Sequence, residues 1–272
     1  MTPTESTNST NYSTPPILVL SVGEPKTGKT VSACTFPKPI LFLDFDKGFE
    51  SVRNARDVKG NLIVPEHSQC TVVEFIKEGY FDLDFKTELK GSVAPMHTNA
   101  ARPILEKFNE VMKSVATDGV YNGVQYKTLV IDSLTAMFGI WKDMILNMNK
   151  VSHLRIQDYD TLDALLFRQL VPSLKAINKK IPYVILINHV AMDKDEVSGR
   201  VSEFPVGPSN RMGKALGKEF DEIWIQKVDG ADRVWKTTKD GLLNAGSRLH
   251  LPETIKPATF NTLESIFKVR RA

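Results

Sequence analysis

A chain of 272 residues, 42% hydrophobic and 25% charged, can bury one sizeable core, and a single ordered domain is expected. Its 35 basic and 32 acidic residues leave a net charge of only +3, so global basicity does not announce nucleic acid and any such surface must be local. Cys34 and Cys70 are two thiols in a chain that needs no disulfide staples, no run approaches 18 apolar residues, and the N-terminus lacks a signal-peptide pattern; a cytoplasmic protein with no membrane partner is expected.

Residues 1–16 are rich in Ser, Thr, Asn and Pro and read as a disordered polar tail. The apolar run Ile17-Leu18-Val19-Leu20 predicts a buried strand. It enters Gly23-Glu24-Pro25-Lys26-Thr27-Gly28-Lys29-Thr30, a full G-x-x-x-x-G-K-T. Such a loop suits a triphosphate because its glycines let backbone N–H groups converge on a compact polyanion, and the following helix adds the positive end of its dipole. Lys29 is expected to reach the β/γ-phosphates of ATP, and the Thr30 hydroxyl to ligate Mg²⁺. The helix should stop before Pro37. Pro39 to Leu43 then reads as a second strand, apolar on both faces, ending in Asp44-Phe45-Asp46.

Residues 60–100 hold short β-prone pieces, Leu62-Ile63-Val64 and Thr71-Val72-Val73, and an alternation at Phe81-Asp82-Leu83-Asp84-Phe85; one core strand plus a variable insertion is expected. Helical spacing runs from Pro103 to Ala116, with the proline in the first turn where it is tolerated. Thr128-Leu129-Val130-Ile131-Asp132-Ser133 is an apolar strand ending in a carboxylate. Asp132 there would hold Mg²⁺ through water and complete the metal's shell with Thr30.

Leu162, Leu165, Leu166, Leu170, Leu174 and Ile177 mark a helix of roughly 20 residues closing at Lys179-Lys180. Tyr183 to Ile187 follows as a buried strand ending in Asn188-His189. Strand–helix alternation argues a parallel sheet, whose ligands bind beyond the carboxyl ends of the strands. Asp44, Asp46, Asp132, Asn188 and His189 then face one crevice with Lys29. Residues 191–219 are long, polar and without clear periodicity, so they are expected to be a functional loop or disordered. Phe220 to Lys227 and Arg233 to Thr238 read as antiparallel strands joined at Asp229-Gly230, and Lys268 to Arg271 forms a basic, solvated tip.

In element order from about Ile17 to Ile266, the chain resembles the RecA-like recombinase core, specifically the compact phage ATPases that act in single-strand annealing and recombination. The motifs are Phe42-Leu43-Asp44-Phe45-Asp46, Leu129 to Ser133, Val184 to His189, and Gly213-Lys214 ahead of Phe220-Asp221-Glu222-Ile223-Trp224. The resemblance implies an α/β fold, a RecA-like P-loop NTPase core over residues 17–272 whose mostly parallel central sheet is flanked by helices, with a C-terminal antiparallel hairpin. It implies a DNA-dependent ATPase using ATP and Mg²⁺, with single-stranded DNA, further copies of itself in a filament or ring, and a phage or host single-strand-binding protein as partners.

In that family the second strand ends in an acidic residue that polarises the attacking water. The matching position is Asp46, where recombinases usually carry Glu, and Asp44 is the neighbour that serves if Asp46 is too short. The polar residue after the later strand's Asn, usually Gln, senses the γ-phosphate and relays to the DNA-contacting loop; here it is His189. The loop corresponds to residues 191–212, where Lys194, Arg200 and Arg211 offer phosphate contacts and Phe204 a stacking platform. Lys214 or Lys218 would complete a neighbouring copy's site in trans. A ring-forming helicase or packaging motor, a small-molecule P-loop kinase and a nucleotide-gated adaptor are the rival readings.

Overall fold

The computed structural model describes residues 15–57, 59–75, 98–194, 196, 199 and 201–271. Residues 1–14 of the expected tail, the alternation at 81–85, most of the expected insertion and Arg200 lie outside them.

The apolar runs become strands because each buries both faces. β1 (Ile17–Val22), β2 (Ile40–Asp44), β6 (Thr128–Asp132) and β7 (Tyr183–Asn188) are buried at every position. β3 (Cys70–Glu74) is the core strand expected within 60–100. With β10 (Glu222–Asp229), these strands form a parallel array in the order β3-β2-β6-β7-β1-β10. β11 (Asp232–Lys236), β12 (Gly246–Ser247) and β13 (Thr254–Ile255) then extend it antiparallel beyond β10, while β4 (Val120–Tyr121) and β5 (Val124–Gln125) form a separate two-stranded sheet. The sheet is therefore mixed, mostly parallel, with an antiparallel C-terminal hairpin. Because β7 lies between β1 and β6, the register aligns Val22 with Asn188, Ile187 with Asp132, and Asp132 with Asp44 along one edge.

Alternation divides the side chains between two cores. Leu18, Leu20, Leu41, Leu43, Leu129, Ile131, Val184 and Leu186 enter one cluster; Ile17, Val19, Ile40, Phe42, Val130, Ile185 and Ile187 enter the other. Helices α3 (Thr98–Asp118), α4 (Leu134–Asn149), α5 (Ile156–Asp163) and α6 (Val171–Ile177) contribute to the first. α1 (Lys29–Ala33), α2 (Glu50–Asn54) and α8 (Phe260–Arg271) contribute to the second. There Phe36 lies 5.0 Å from Phe260 and Trp224 lies 4.8 Å from Trp235, ring centre to ring centre. Both cysteines are free thiols. Among the described residues, no helix is long and apolar enough to cross a membrane.

Several expectations need correction. Pro103 lies inside α3, because the helix starts at Thr98 rather than at the proline. The long helix of 156–177 contains a π-helical segment, Ala164–Leu170, just before Pro172. Proline lacks the N–H of a regular turn and crowds the carbonyl four residues back, and a widened turn there relieves both. The basic tip is not simply solvated: the Arg270 guanidinium donates to the Leu249 and His250 carbonyls, 2.7 Å from the former.

The largest change is in 191–219, which is ordered wherever it is described. β8 (Val190–Lys194) and β9 (Val201–Pro205) form an antiparallel ribbon, and α7 (Asn210–Leu216) follows, capped by Ser209 Oγ accepting from Met212 N. The ribbon stands apart from the main sheet, so it lacks the continuous apolar runs that mark buried strands.

Candidate functional site

The turn from β1 into α1 carries the phosphate loop. Lys26 (φ 65°) and Gly28 (φ 89°) take left-handed conformations that curl residues 23–30. Lys29, only 6% exposed, donates from Nζ to the carbonyls of Gly23 and Glu24, 2.8 Å each. Burial lowers its pKa to about 8, with Asp132, Glu24 and Asp46 pulling the other way. Thr27 Oγ1 closes the turn on Glu24 O at 2.9 Å. α1 has five residues, so its dipole is short and the converging groups of the loop carry most of any anion affinity.

Asp132 ends β6 and is 3% exposed. It accepts from Thr30 Oγ1 at 2.6 Å. Burial pushes its carboxyl up to about 7, Thr30 and Lys29 draw it down, and Asp46 and Asp44 add to the rise. Gly48 is near enough that a Cβ there would meet Asp132 Oδ2 at 2.6 Å, so a side chain at 48 would enter the crevice.

Asp44 and Asp46 have different environments. Asp44 accepts from the amides of Asp46, Gly48 and Phe49 at 3.0–3.1 Å and thereby shapes the turn after β2. Asp46 is exposed, and its Oδ2 accepts from Ser133 Oγ at 2.6 Å. Between the candidate bases, Asp44 is committed to backbone and Asp46 faces the cleft.

β7 brings Asn188 and His189 between the loop and Asp132. Asn188 Oδ1 accepts from Thr135 Oγ1 at 2.7 Å, and its amide donates to Val206 O at 2.8 Å; Val206 N donates to His189 O at 2.9 Å. The root of the β8–β9 ribbon is thus tied to the end of β7. His189 is half-buried, and burial, with Lys29 nearby, lowers its pKa, which favours the neutral ring. Lys29, Thr30, Asp46, Asp132 and His189 line one cleft of about 490 Å³.

The residues assigned to nucleic acid come together less well. Phe204 is 4% exposed and packs below Lys214 Nζ, 5.1 Å from its ring centre, so it offers no open face for a base; its role as a stacking platform is corrected to packing. Arg211 is exposed and lies 3.7 Å from Asp163. Lys214 pairs with Asp193 at 2.6 Å, whereas Lys218 is exposed on the turn Gly217–Glu219.

Several cleft residues escaped the sequence reading, among them Lys47, Ser51, Asn54 and Arg233. Arg233, on β11, lines the cleft, and its stem lies against Gly28: a Cβ there would meet Arg233 Nε at 2.0 Å and Cδ at 2.1 Å. Its strand is legible from the Asp229-Gly230 turn, but the pairing of β10 with β1 joins residues some 200 apart and leaves no local signal.

The oxygen donors fit Mg²⁺. A hydroxyl and a deeply buried carboxylate lie side by side, and a carboxylate desolvated to this degree gains from a cation. Among the described residues no group of three or more His, Cys, Asp or Glu is placed to hold a metal by itself, which suits an ion that takes one carboxylate and completes its shell from phosphate and water.

Comparison with solved structures returns the crystal structure of the RadB recombinase, at 17% identity over 82% of this chain and 80% of that one, TM-score 0.41. It also returns the flagellar accessory protein FlaH from Methanocaldococcus jannaschii, at 11% identity over 89% and 84%, TM-score 0.42. No curated protein matches the chain. The family model of an AAA domain matches residues 16–249, from the residue before β1 through the phosphate loop, Asp132, His189 and Arg233, and the chain belongs to that family.

Proposed function

We propose that the protein binds ATP with Mg²⁺ and hydrolyses it, and that single-stranded DNA is the effector of this turnover in an annealing or strand-exchange role. The convergence of Lys29, Thr30, Asp46, Asp132 and His189 on one cleft at the carboxyl ends of parallel strands carries the nucleotide part.

Loading charge on a transferred γ-phosphoryl makes positioning and electrostatics the main work of such a site. Lys29 exchanges the Gly23 and Glu24 carbonyls for phosphate oxygens. Thr30 and Asp132 would hold Mg²⁺, which supplies neutralising charge to the phosphates. Asp46, oriented by Ser133, aligns the water: the water oxygen bonds to the γ-phosphorus, the bond to the β–γ bridging oxygen breaks, and the water's proton passes to the Asp46 carboxylate. Neutral His189 donates a ring N–H to the γ-phosphate.

The tie from Asn188 to Val206 supports coupling of nucleotide state to the β8–β9 ribbon and to α7 behind it, where Lys194 on the ribbon and Arg211 on the helix are exposed cations suited to phosphate contacts. In an oligomer, Lys218 is the better placed lysine to reach a neighbouring copy, since Lys214 is engaged with Asp193. ATP turnover measured with and without single-stranded DNA tests the proposal. Stimulation by the strand supports both parts; equal turnover removes DNA and leaves the ATPase; absence of ATP binding and turnover overturns the reading.

A further inference from the structure

We propose that Arg233 is a nucleotide-binding residue, supplied by the same chain from the β10–β11 hairpin, that grips the phosphates nearer the nucleoside. This rests on the reading of the cleft as a nucleoside triphosphate site.

Strand register delivers the side chain. Arg233 pairs with Val228, two residues along β11 from Trp235, and alternation puts Arg233 on the same face as Trp235, the face that also carries α1. From there its stem runs against the loop backbone at Gly28, the residue before Lys29, at a distance that leaves no room for a Cβ. Glycine at 28 is required by its left-handed φ, and the arginine stem fills the space that a Cβ would take.

The charge environment calls for an anion. Arg233 is half-buried, and among the described residues no carboxylate lies within ion-pair distance of it. The acids flanking the hairpin turn, Asp229 and Asp232, are engaged instead by Lys256 at 2.9 and 3.5 Å. A partly desolvated guanidinium that lines the same cleft as the buried Lys29 is costly until a negative group arrives, and its planar fork matches two phosphate oxygens.

Position then selects which phosphates. A second cleft, of about 540 Å³, adjoins the first, and Lys26, Val31 and Arg233 line both. It continues past Arg56, Ile63 and Ala258, away from Asp46 and His189. A chain of phosphates whose far end lies near Asp46 and His189 and whose nucleoside enters the second cleft passes Arg233 in between. ADP and ATP would both present phosphate to it.

The experiment measures binding of ATP, ADP and inorganic tripolyphosphate by calorimetry to the full chain and to Arg233→Met and Arg233→Lys. Methionine keeps an apolar stem against Gly28 and removes the charge. Expected for Arg233→Met is a loss of roughly ten- to a hundredfold for all three ligands, with ATP and ADP falling by the same factor. Arg233→Lys should recover part of it. Wild-type affinities in Arg233→Met would overturn the proposal and reduce the residue to packing, and so would a loss for ATP with ADP unchanged. If the unmodified protein binds none of the three, the reading of the cleft itself fails, a different result from binding that Arg233→Met leaves untouched.

Discussion

Thr30 Oγ1 and Asp132 Oδ2 lie 2.6 Å apart, joining the first residues of α1 to the end of β6 across 102 positions of sequence. A hydroxyl and a buried carboxylate held so close form a ready pair of hard oxygen ligands. Asp132→Asn should therefore abolish the Mg²⁺ dependence of ATP affinity and lower turnover at least about a hundredfold. Nucleotide titrations in Mg²⁺ and in EDTA check this; a variant whose ATP affinity still drops on chelation would place the metal elsewhere.

Lys29→Ala should weaken ATP binding about a hundredfold or more while leaving the chain folded. The side chain's two hydrogen bonds go to loop carbonyls and burial outweighs the nearby carboxylates in disfavouring its charge, so its removal should leave the melting temperature unchanged or raised. Linkage gives the sign: the lowered folded-state pKa makes the ammonium's cost full at neutral pH and relieved as pH rises above about 8. Calorimetric melts at pH 7 and 9.5 should show the variant's advantage shrinking at the higher value.

Asp46→Asn should retain ATP affinity and lose turnover, the pattern of an interaction made only in the transition state. Ser133→Ala, which frees Asp46 without removing it, should cost less, about tenfold. Full turnover in Asp46→Asn would end the assignment, and Asp44 would not inherit it, because its oxygens are occupied by the amides of Asp46, Gly48 and Phe49.

His189 predicts an acidic limb in the pH profile. Its pKa lies below the usual value of 6.5, so the ring stays neutral from pH 8 to about 6.5 and charges only below that. Folding stability from the neutral ring is likewise present above 6.5 and lost as pH falls through the lowered value. His189→Gln keeps a side-chain donor and should remove the acidic limb from the rate profile. Persistence of the same limb in that variant would assign it to another group.

The parts of the fold that bury both faces were legible in the sequence. Ile17 to Val22, Ile40 to Asp44, Thr128 to Asp132 and Tyr183 to Asn188 announce themselves as apolar runs, and the phosphate loop and Asp132 follow from their ends. What pattern could not supply was contact between distant segments. Asp44 and Asp46 look equivalent as residue types, and only the turn at 46–49 separates a structural carboxylate from one that faces the cleft. Phe204 looks available because its segment carries no continuous apolar run, whereas α7 packs over it. Arg233 carried no motif, and its place depends on β10 pairing with β1.

The β8–β9 ribbon has the mechanics of a lever. Its root is fastened to the end of β7 by the Asn188 amide and the His189 carbonyl, and its pairs run from Val190↔Pro205 to Lys194↔Val201. Five extended residues span about 16 Å, so a tilt of roughly 10° at the fastening carries the far pair about 3 Å. Lys214 of α7 holds Asp193 one pair from the far end, so a tilt at His189 would carry the ribbon and α7 together.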